Sequence, residues 1–237
     1  MPVGRDRHGL FVRPEDLSRQ IDRLRRWGYE LLSFGAFADR VAAGRGGGTA
    51  TLTFDDGLVD NLDTLVPLLA DVGAPATVFP VSGWLGQRHP DAPWTRVMTA
   101  EELRELHRAG VEVGAHTASH PDLTSLPPER AAAELGEGRR ELEALLGRTI
   151  DLLAYPYGEA NPAVVAAADA AGFRAACRTQ GRGSWSEPLQ LPRQDMYNGA
   201  NLLELRLKRD DRYEPMMRHR PVRAVRKLVR MSRAVTR

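Results

Sequence analysis

Two acidic residues stand side by side in Thr53-Phe54-Asp55-Asp56-Gly57, and two histidines stand four positions apart in His116-Thr117-Ala118-Ser119-His120. Adjacent carboxylates can divide their work, one binding a cation while the other moves a proton. Two imidazoles and one carboxylate make a three-donor set for a divalent metal with coordination positions left open. Taken alone, an Asp-Asp-Gly turn is more often a solvated loop, but four such groups on one rim are much harder to attribute to coincidence. A cation on Asp56, His116 and His120 would bring the pKa of its bound water toward neutrality. Asp55, if it is not itself a ligand, could then take the proton as general base during attack on a carbonyl. The oxyanion also needs a backbone donor. In Tyr155-Pro156-Tyr157-Gly158 the proline has no N–H, so the Tyr157 amide is the natural donor.

These groups need elements to carry them. Strand formers Ala50-Thr51-Leu52 precede the acidic pair, and Gly57 permits a sharp turn after it. A strand over 50–54 therefore delivers the pair at its carboxyl end, where α/β folds keep their chemistry. A strand over 111–116 leads to the histidines, and one over 150–154 leads to Tyr157. Leu17, Ile21, Leu24 and Trp27 recur at helical spacing between Pro14 and Gly28. Further helices are predicted over 34–43, 61–72, 127–146 and 161–171, and strands over 30–33, 76–79 and 173–177. Pro67 should bend the 61–72 helix or limit its start. Thr99 and Glu102 have capping-box spacing for a helix ending at Gly110, and the excursion over 83–98 reads as a surface loop. This alternation predicts a parallel sheet covered by helices, with a closed or nearly closed β/α barrel preferred over an open sheet.

The 237-residue chain is long enough for one domain with a large core, and 42% hydrophobic with 27% charged residues is ordinary for a globular protein. The single Cys177 makes no internal disulfide and is expected to be a buried, inert thiol. Residues 216–237 hold 8 of the 33 Lys and Arg and none of the Asp and Glu, which leaves the first 215 residues at net −6. An acidic body argues against nucleic-acid binding. The basic tail can form an amphipathic helix that lies on anionic lipid, or it can be a solvated terminus. With no apolar leader after Met1, the reading places the protein in the cytoplasm, peripheral to the inner membrane face where the tail binds lipid.

The three motifs, in this order and spacing, resemble those of the polysaccharide deacetylases of the NodB-homology type, carbohydrate esterase family 4, over roughly residues 10 to 195. The resemblance implies an α/β fold, a distorted (β/α)7 barrel within residues 1–215, with 216–237 as an appended tail. It also implies a divalent metal, commonly Zn2+, and hydrolysis of an N-acetyl group on an amino sugar, with an N-acetylated sugar, glycoconjugate or polysaccharide as substrate. Asp55 is then the base, Asp56, His116 and His120 are the ligands, Thr117 holds the histidine loop, and the Tyr157 amide stabilises the oxyanion. Two departures stand out. Ala154 occupies the place of an arginine that orients the base in the family, and Arg193 is expected to supply the guanidinium from a late strand. The family's Leu-x-His motif has no match, since Leu205-Arg206-Leu207-Lys208 lacks the histidine, so no general acid is assigned. Two alternatives remain at this stage: a catalytically impaired carbohydrate-binding relative, and a non-haem iron oxygenase, in which the spare carboxylate has no obvious use. His8 and His89 are expected in solvent-exposed loops and His107 on a helix surface. Trp84, Trp94 and Trp185 could stack on sugar or simply pack.

Overall fold

The computed structural model describes residues 11–180, 182–200, 202–210 and 212–213. Its strands are β1 (Glu30–Leu32), β2 (Thr49–Thr51), β3 (Thr53–Asp56), β4 (Thr77–Pro80), β5 (Glu112–Val113), β6 (Leu152–Ala154), β7 (Ala175–Arg178) and β8 (Leu191–Pro192). Its helices are α1 (Pro14–Arg26), α2 (Phe34–Ala42), α3 (Val66–Val72), α4 (Ala100–Arg108), α5 (Pro128–Leu146), α6 (Pro162–Ala170) and α7 (Leu202–Arg209). Every ladder among them is parallel: β1 with β2, β3 through β4 to β5, and β6 through β7 to β8. A parallel bridge between Ala115 and Leu153 carries the wall from β5 to β6.

The strand expected over 50–54 is interrupted at Leu52. Its first half pairs with β1 and its second with β4, so the chain bends where it changes neighbours, and the Leu52 carbonyl accepts the Thr77 N–H at 3.0 Å. With β2 and β3 taken as one broken strand, the described residues form a distorted (β/α)7 barrel.

Local sequence accounts for most of the surrounding helices. Helix α1 starts at Pro14, carries Glu15 and Asp16 in its first turn and Arg23, Arg25 and Arg26 in its last, the order that the helix dipole favours. Ser33 and Asn161 cap α2 and α6 by accepting from Ala36 and Val164, and the capping box of Thr99 and Glu102 forms in both directions at α4. The helix predicted over 61–72 is not continuous. Asn61–Leu65 is a π-turn in which the Val66 N–H reaches the Asn61 carbonyl, and α3 follows with Pro67 in its first turn. The wider turn leads into a residue that cannot donate.

Strand residues Val78, Phe79, Leu153 and Ala176 are fully buried, as are Leu103 and Leu106 of α4 and Leu135 and Leu142 of α5. Each leucine contributes roughly 1.5–3 kcal/mol by leaving water, which makes the barrel wall a rigid platform for the loops at its carboxyl rim. Cys177 is buried as expected, and burial pushes its thiol up to about 12. The basic segment 216–237 and His8 lie outside the described residues. No helix among the described residues is long and apolar enough to cross a membrane.

Candidate active site

Successive side chains of a strand point to opposite faces, so two adjacent aspartates should not reach one centre. They do so here because Asp56 leaves the extended conformation at φ 66°. Gly57 continues the turn at φ 71°, and a Cβ there would lie 2.7 Å from the Pro80 side chain. As a result, an oxygen of each carboxylate lies within 4 Å of the same ring nitrogen, His116 Nε2: Asp55 Oδ2 at 3.8 Å and Asp56 Oδ1 at 3.7 Å.

The two carboxylates then meet different partners. Arg193, just past β8, holds Asp55 with both arms of its guanidinium: Nη1 donates to Oδ1 at 2.8 Å and Nη2 to Oδ2 at 2.5 Å, while Nη1 also reaches Thr53 Oγ1 at 3.0 Å. Burial by itself would raise the Asp55 carboxyl, but the Arg193 charge, with help from His116, outweighs it and holds the group at about 2. Asp55 is therefore an anion at any physiological pH.

Asp56 faces the histidines. His116 is 2% exposed and its Nδ1 lies 2.6 Å from the Ala154 carbonyl, which can only accept. Nδ1 therefore donates to that carbonyl, and Nε2 is the nitrogen that faces the carboxylates. His120 adopts φ 62°, and its N–H donates to Oγ1 of the fully buried Thr117 at 3.0 Å. Burial, then the neighbouring His116, pushes the His120 imidazole down to about 4, so it is neutral at physiological pH. Its Nε2 lies 3.7 Å from Asp56 Oδ1.

Helix α5 supports this loop from behind. The buried Glu134 accepts from Ser119 N at 2.9 Å and Ser119 Oγ at 2.7 Å. Gly138 provides clearance: a Cβ there would fall 2.5 Å from the Thr117 carbonyl carbon.

Donor atoms of Asp56, His116 and His120 all lie within 4.8 Å of one another. Asp56 Oδ1, the oxygen both imidazoles face, is buried without a hydrogen-bond partner. A buried carboxylate oxygen without a donor is costly. A divalent cation satisfies all three groups at once, so the donor set fits a metal.

Tyr157 lies at φ 58°, and its ring packs on His120 with centroids 4.7 Å apart. The Pro156 carbonyl accepts from Glu159 N at 3.1 Å. In a trans peptide the N–H points opposite to the carbonyl, so the Tyr157 amide is aimed away from that turn. Among the described residues, five other than glycine have positive φ, and Asp56, Thr117, His120 and Tyr157 are four of them. Strain of this kind persists only where the surroundings overdetermine it, and here it falls on all three motifs.

Two expectations are corrected. His89 is not solvent-exposed: it is 3% exposed and its Nε2 lies 3.2 Å from Asp56 Oδ2. The 83–98 excursion is no open surface loop either. It folds back as a small hairpin through an antiparallel Arg88–Arg96 bridge and buries Ala92, Val97 and Met98. Trp84, from the same excursion, packs against both His89 and His120 at 5.2 and 5.1 Å, whereas Trp94 packs on Phe11 at 4.8 Å. Trp185 is half exposed over Phe37. Trp84, Tyr157 and Trp185 line, with the acidic pair and the histidines, a cavity of about 670 Å³.

The family model for polysaccharide deacetylase matches residues 43–176, more than half of the chain. The chain belongs to the polysaccharide deacetylase family. It is 26% identical over 129 residues to the putative polysaccharide deacetylase YxkH of Bacillus subtilis, covering 54% of this chain and 44% of that protein. It is 30% identical over 123 residues to chitin deacetylase 1 of Cryptococcus neoformans, covering 52% of this chain and 24% of that protein. The chain thus spans less than half the length of these curated relatives. Among solved structures it is similar to the Streptococcus pyogenes deacetylase PplD in complex with acetate (TM-score 0.75, 21% identity, 88% of this chain and 92% of that one). It is also similar to a de-N-acetylase from Aggregatibacter actinomycetemcomitans (TM-score 0.70, 18% identity, 81% and 88%). At these identities the two structures establish the deacetylase-family barrel as the fold.

Proposed function

We propose that this member of the polysaccharide deacetylase family hydrolyses the N-acetyl group of an amino sugar, presented as a glycoconjugate or polysaccharide. The observation that carries this reading is the division of the acidic pair: Asp55 is held as an anion by Arg193, while Asp56 turns an unpartnered oxygen to the imidazoles of His116 and His120. Asp56, His116 and His120 would hold a divalent cation, Zn2+ by the chemistry of the donors, which when bound supplies Lewis acidity and a hydroxide source near neutral pH. Asp55 accepts the proton of the attacking water at a carboxylate oxygen, and Arg193 keeps that carboxylate ionised and oriented. The Tyr157 amide donates to the acetyl oxygen as negative charge develops there. Trp84 and Trp185 offer apolar ring faces on the cavity wall to the C–H faces of sugar rings. The family names of the relatives support the same chemistry.

The test is acetate release from N-acetylglucosamine oligomers by the zinc-loaded protein. Wild type should release acetate, and Asp55→Asn should fall by about 10²–10⁴-fold, the usual worth of a general base. Wild type indistinguishable from Asp55→Asn, with sugar still bound, would instead support the carbohydrate-binding reading. Iron rather than zinc in the purified protein would favour the oxygenase.

A further inference from the structure

We infer that His89 is a positioning residue that fixes the metal-facing carboxylate of Asp56; the inference rests on the reading of Asp56 as a metal ligand. The tautomer follows from the structure. His89 Nδ1 lies 3.2 Å from the backbone N of Asp91, which can only donate to it. A neutral imidazole that accepts at Nδ1 carries its proton on Nε2. That Nε2 lies 3.2 Å from Asp56 Oδ2, so the ring donates to one carboxylate oxygen and leaves the other, Oδ1, turned toward His116 and His120 at 3.7 Å each.

The support for this ring is built, not incidental. His89 is 3% exposed, and its own N–H donates to the Thr95 carbonyl at 3.2 Å within the folded excursion. Trp84 packs edge-on against it at 5.2 Å and 80°, and touches His120 at 5.1 Å. One aromatic ring thus spaces the positioning histidine from a ligand histidine. Asp56 also adopts φ 66°, which an L-residue holds only when its surroundings pin it, and the His89 hydrogen bond pins the carboxylate oxygen other than the one nearest His116 and His120. A neutral donor does this without cancelling the carboxylate charge that a cation needs. Groups of this kind, behind a ligand, typically account for 10–100-fold in metal affinity.

The experiment measures zinc affinity by competition with a chromogenic chelator, for wild type, His89→Phe and His89→Gln. Phenylalanine keeps a flat ring against Trp84 but has no N–H, whereas glutamine keeps a donor. The expected result is zinc bound about 10–100-fold more weakly by His89→Phe, with His89→Gln recovering most of the loss. Equal affinities for the two variants, whether both like wild type or both weakened, overturn the proposal, because packing or direct ligation would then be the role. A second measurement needs no variant. Long-range 1H–15N correlation on the wild type, metal-free and zinc-loaded, should show the His89 ring protonated at Nε2 in both states. A proton on Nδ1, or a zinc-bound nitrogen on His89, overturns it. Failure of wild type to bind zinc at all would instead sink the metal reading of the site.

Discussion

Replacing Arg193 should reverse the sign of the protein's acid response. In the metal-free wild type, Asp55 sits at about 2 in place of its ordinary 3.8. A folded-state pKa below the unfolded one means that the unfolded chain binds more protons between those values. The contribution to stability is therefore complete above about pH 4 and disappears as pH falls through 2. The difference corresponds to roughly 2 kcal/mol, trimmed to about 1–2 kcal/mol by solvent at a carboxylate that keeps 30% of its exposure. In Arg193→Met the guanidinium is gone and burial, the largest influence on Asp55, acts with less opposition. The carboxyl then moves above 3.8, and stability falls as pH rises through the new value. At pH 7 the variant carries a desolvated anion without its main partner, a defect of about 3–5 kcal/mol. The double variant Asp55→Asn/Arg193→Met removes that charge and should recover a large part of the loss.

The assay is urea unfolding followed by circular dichroism between pH 2.5 and 7, with chelator present so that metal binding does not contribute. On top of the slopes that other carboxylates such as Asp60 contribute equally to all three proteins, wild type should gain stability over pH 2.5–4 from this pair, Arg193→Met should lose it over pH 4–6, and the double variant should show neither contribution. A profile for Arg193→Met parallel to that of wild type would refute the argument. So would a double variant whose cost equals the sum of the single ones, since the pair would then be uncoupled.

Two further outcomes separate packing from chemistry. Gly138→Ala gains about 1 kcal/mol of helix propensity, but its Cβ would meet Thr117 backbone at 2.5 and 2.8 Å, so it should cost about 1–3 kcal/mol net and weaken zinc binding; Gly136→Ala, with nothing within 4 Å, should stabilise by about 0.5–1 kcal/mol, and thermal melts of the two variants check the contrast. Burial, reinforced by Asp63, pushes the Asp60 carboxyl up to about 6. The folded state then holds its proton more tightly, and stability falls as pH rises from about 4 to 6. Asp60→Asn should abolish that slope and stabilise the protein at pH 7 by up to ~3 kcal/mol; an unchanged slope in urea titrations would show that Asp60 is solvated.

The features legible in the sequence are those whose signal is local. Turn residues after strand formers marked β3 and its acidic pair, and Thr99 with Glu102 marked the start of α4. The π-turn before α3 was half legible. Pro67 announced an irregularity, but whether a chain bends, breaks or widens there depends on what Leu65 and Leu69 must reach in the core. The break at Leu52 left no trace, because it comes from a change of strand partner, which no single strand records.

The same distinction separates Arg193 from His89. The family resemblance implies an arginine that orients the base where Ala154 stands, which gave a reason to look for a guanidinium elsewhere, and Leu191-Pro192-Arg193 lay on a late strand that could supply it. His89 offered no such reason. It stands in an aperiodic stretch, Gly86-Gln87-Arg88-His89-Pro90, where histidines are ordinarily solvated, and its burial depends on the Arg88–Arg96 bridge and on Val97 and Met98 turning inward. One signal could have found it. A carboxylate that ligates through one oxygen has a second that needs a donor, and of the residues then assigned to the site, none could give it one: imidazoles that ligate a metal approach it through lone pairs, and Arg193 is spent on Asp55. Counting lone pairs and protons around Asp56 demands one more N–H from elsewhere in the chain, and the excursion after β4 is the loop between the two ligand-bearing segments.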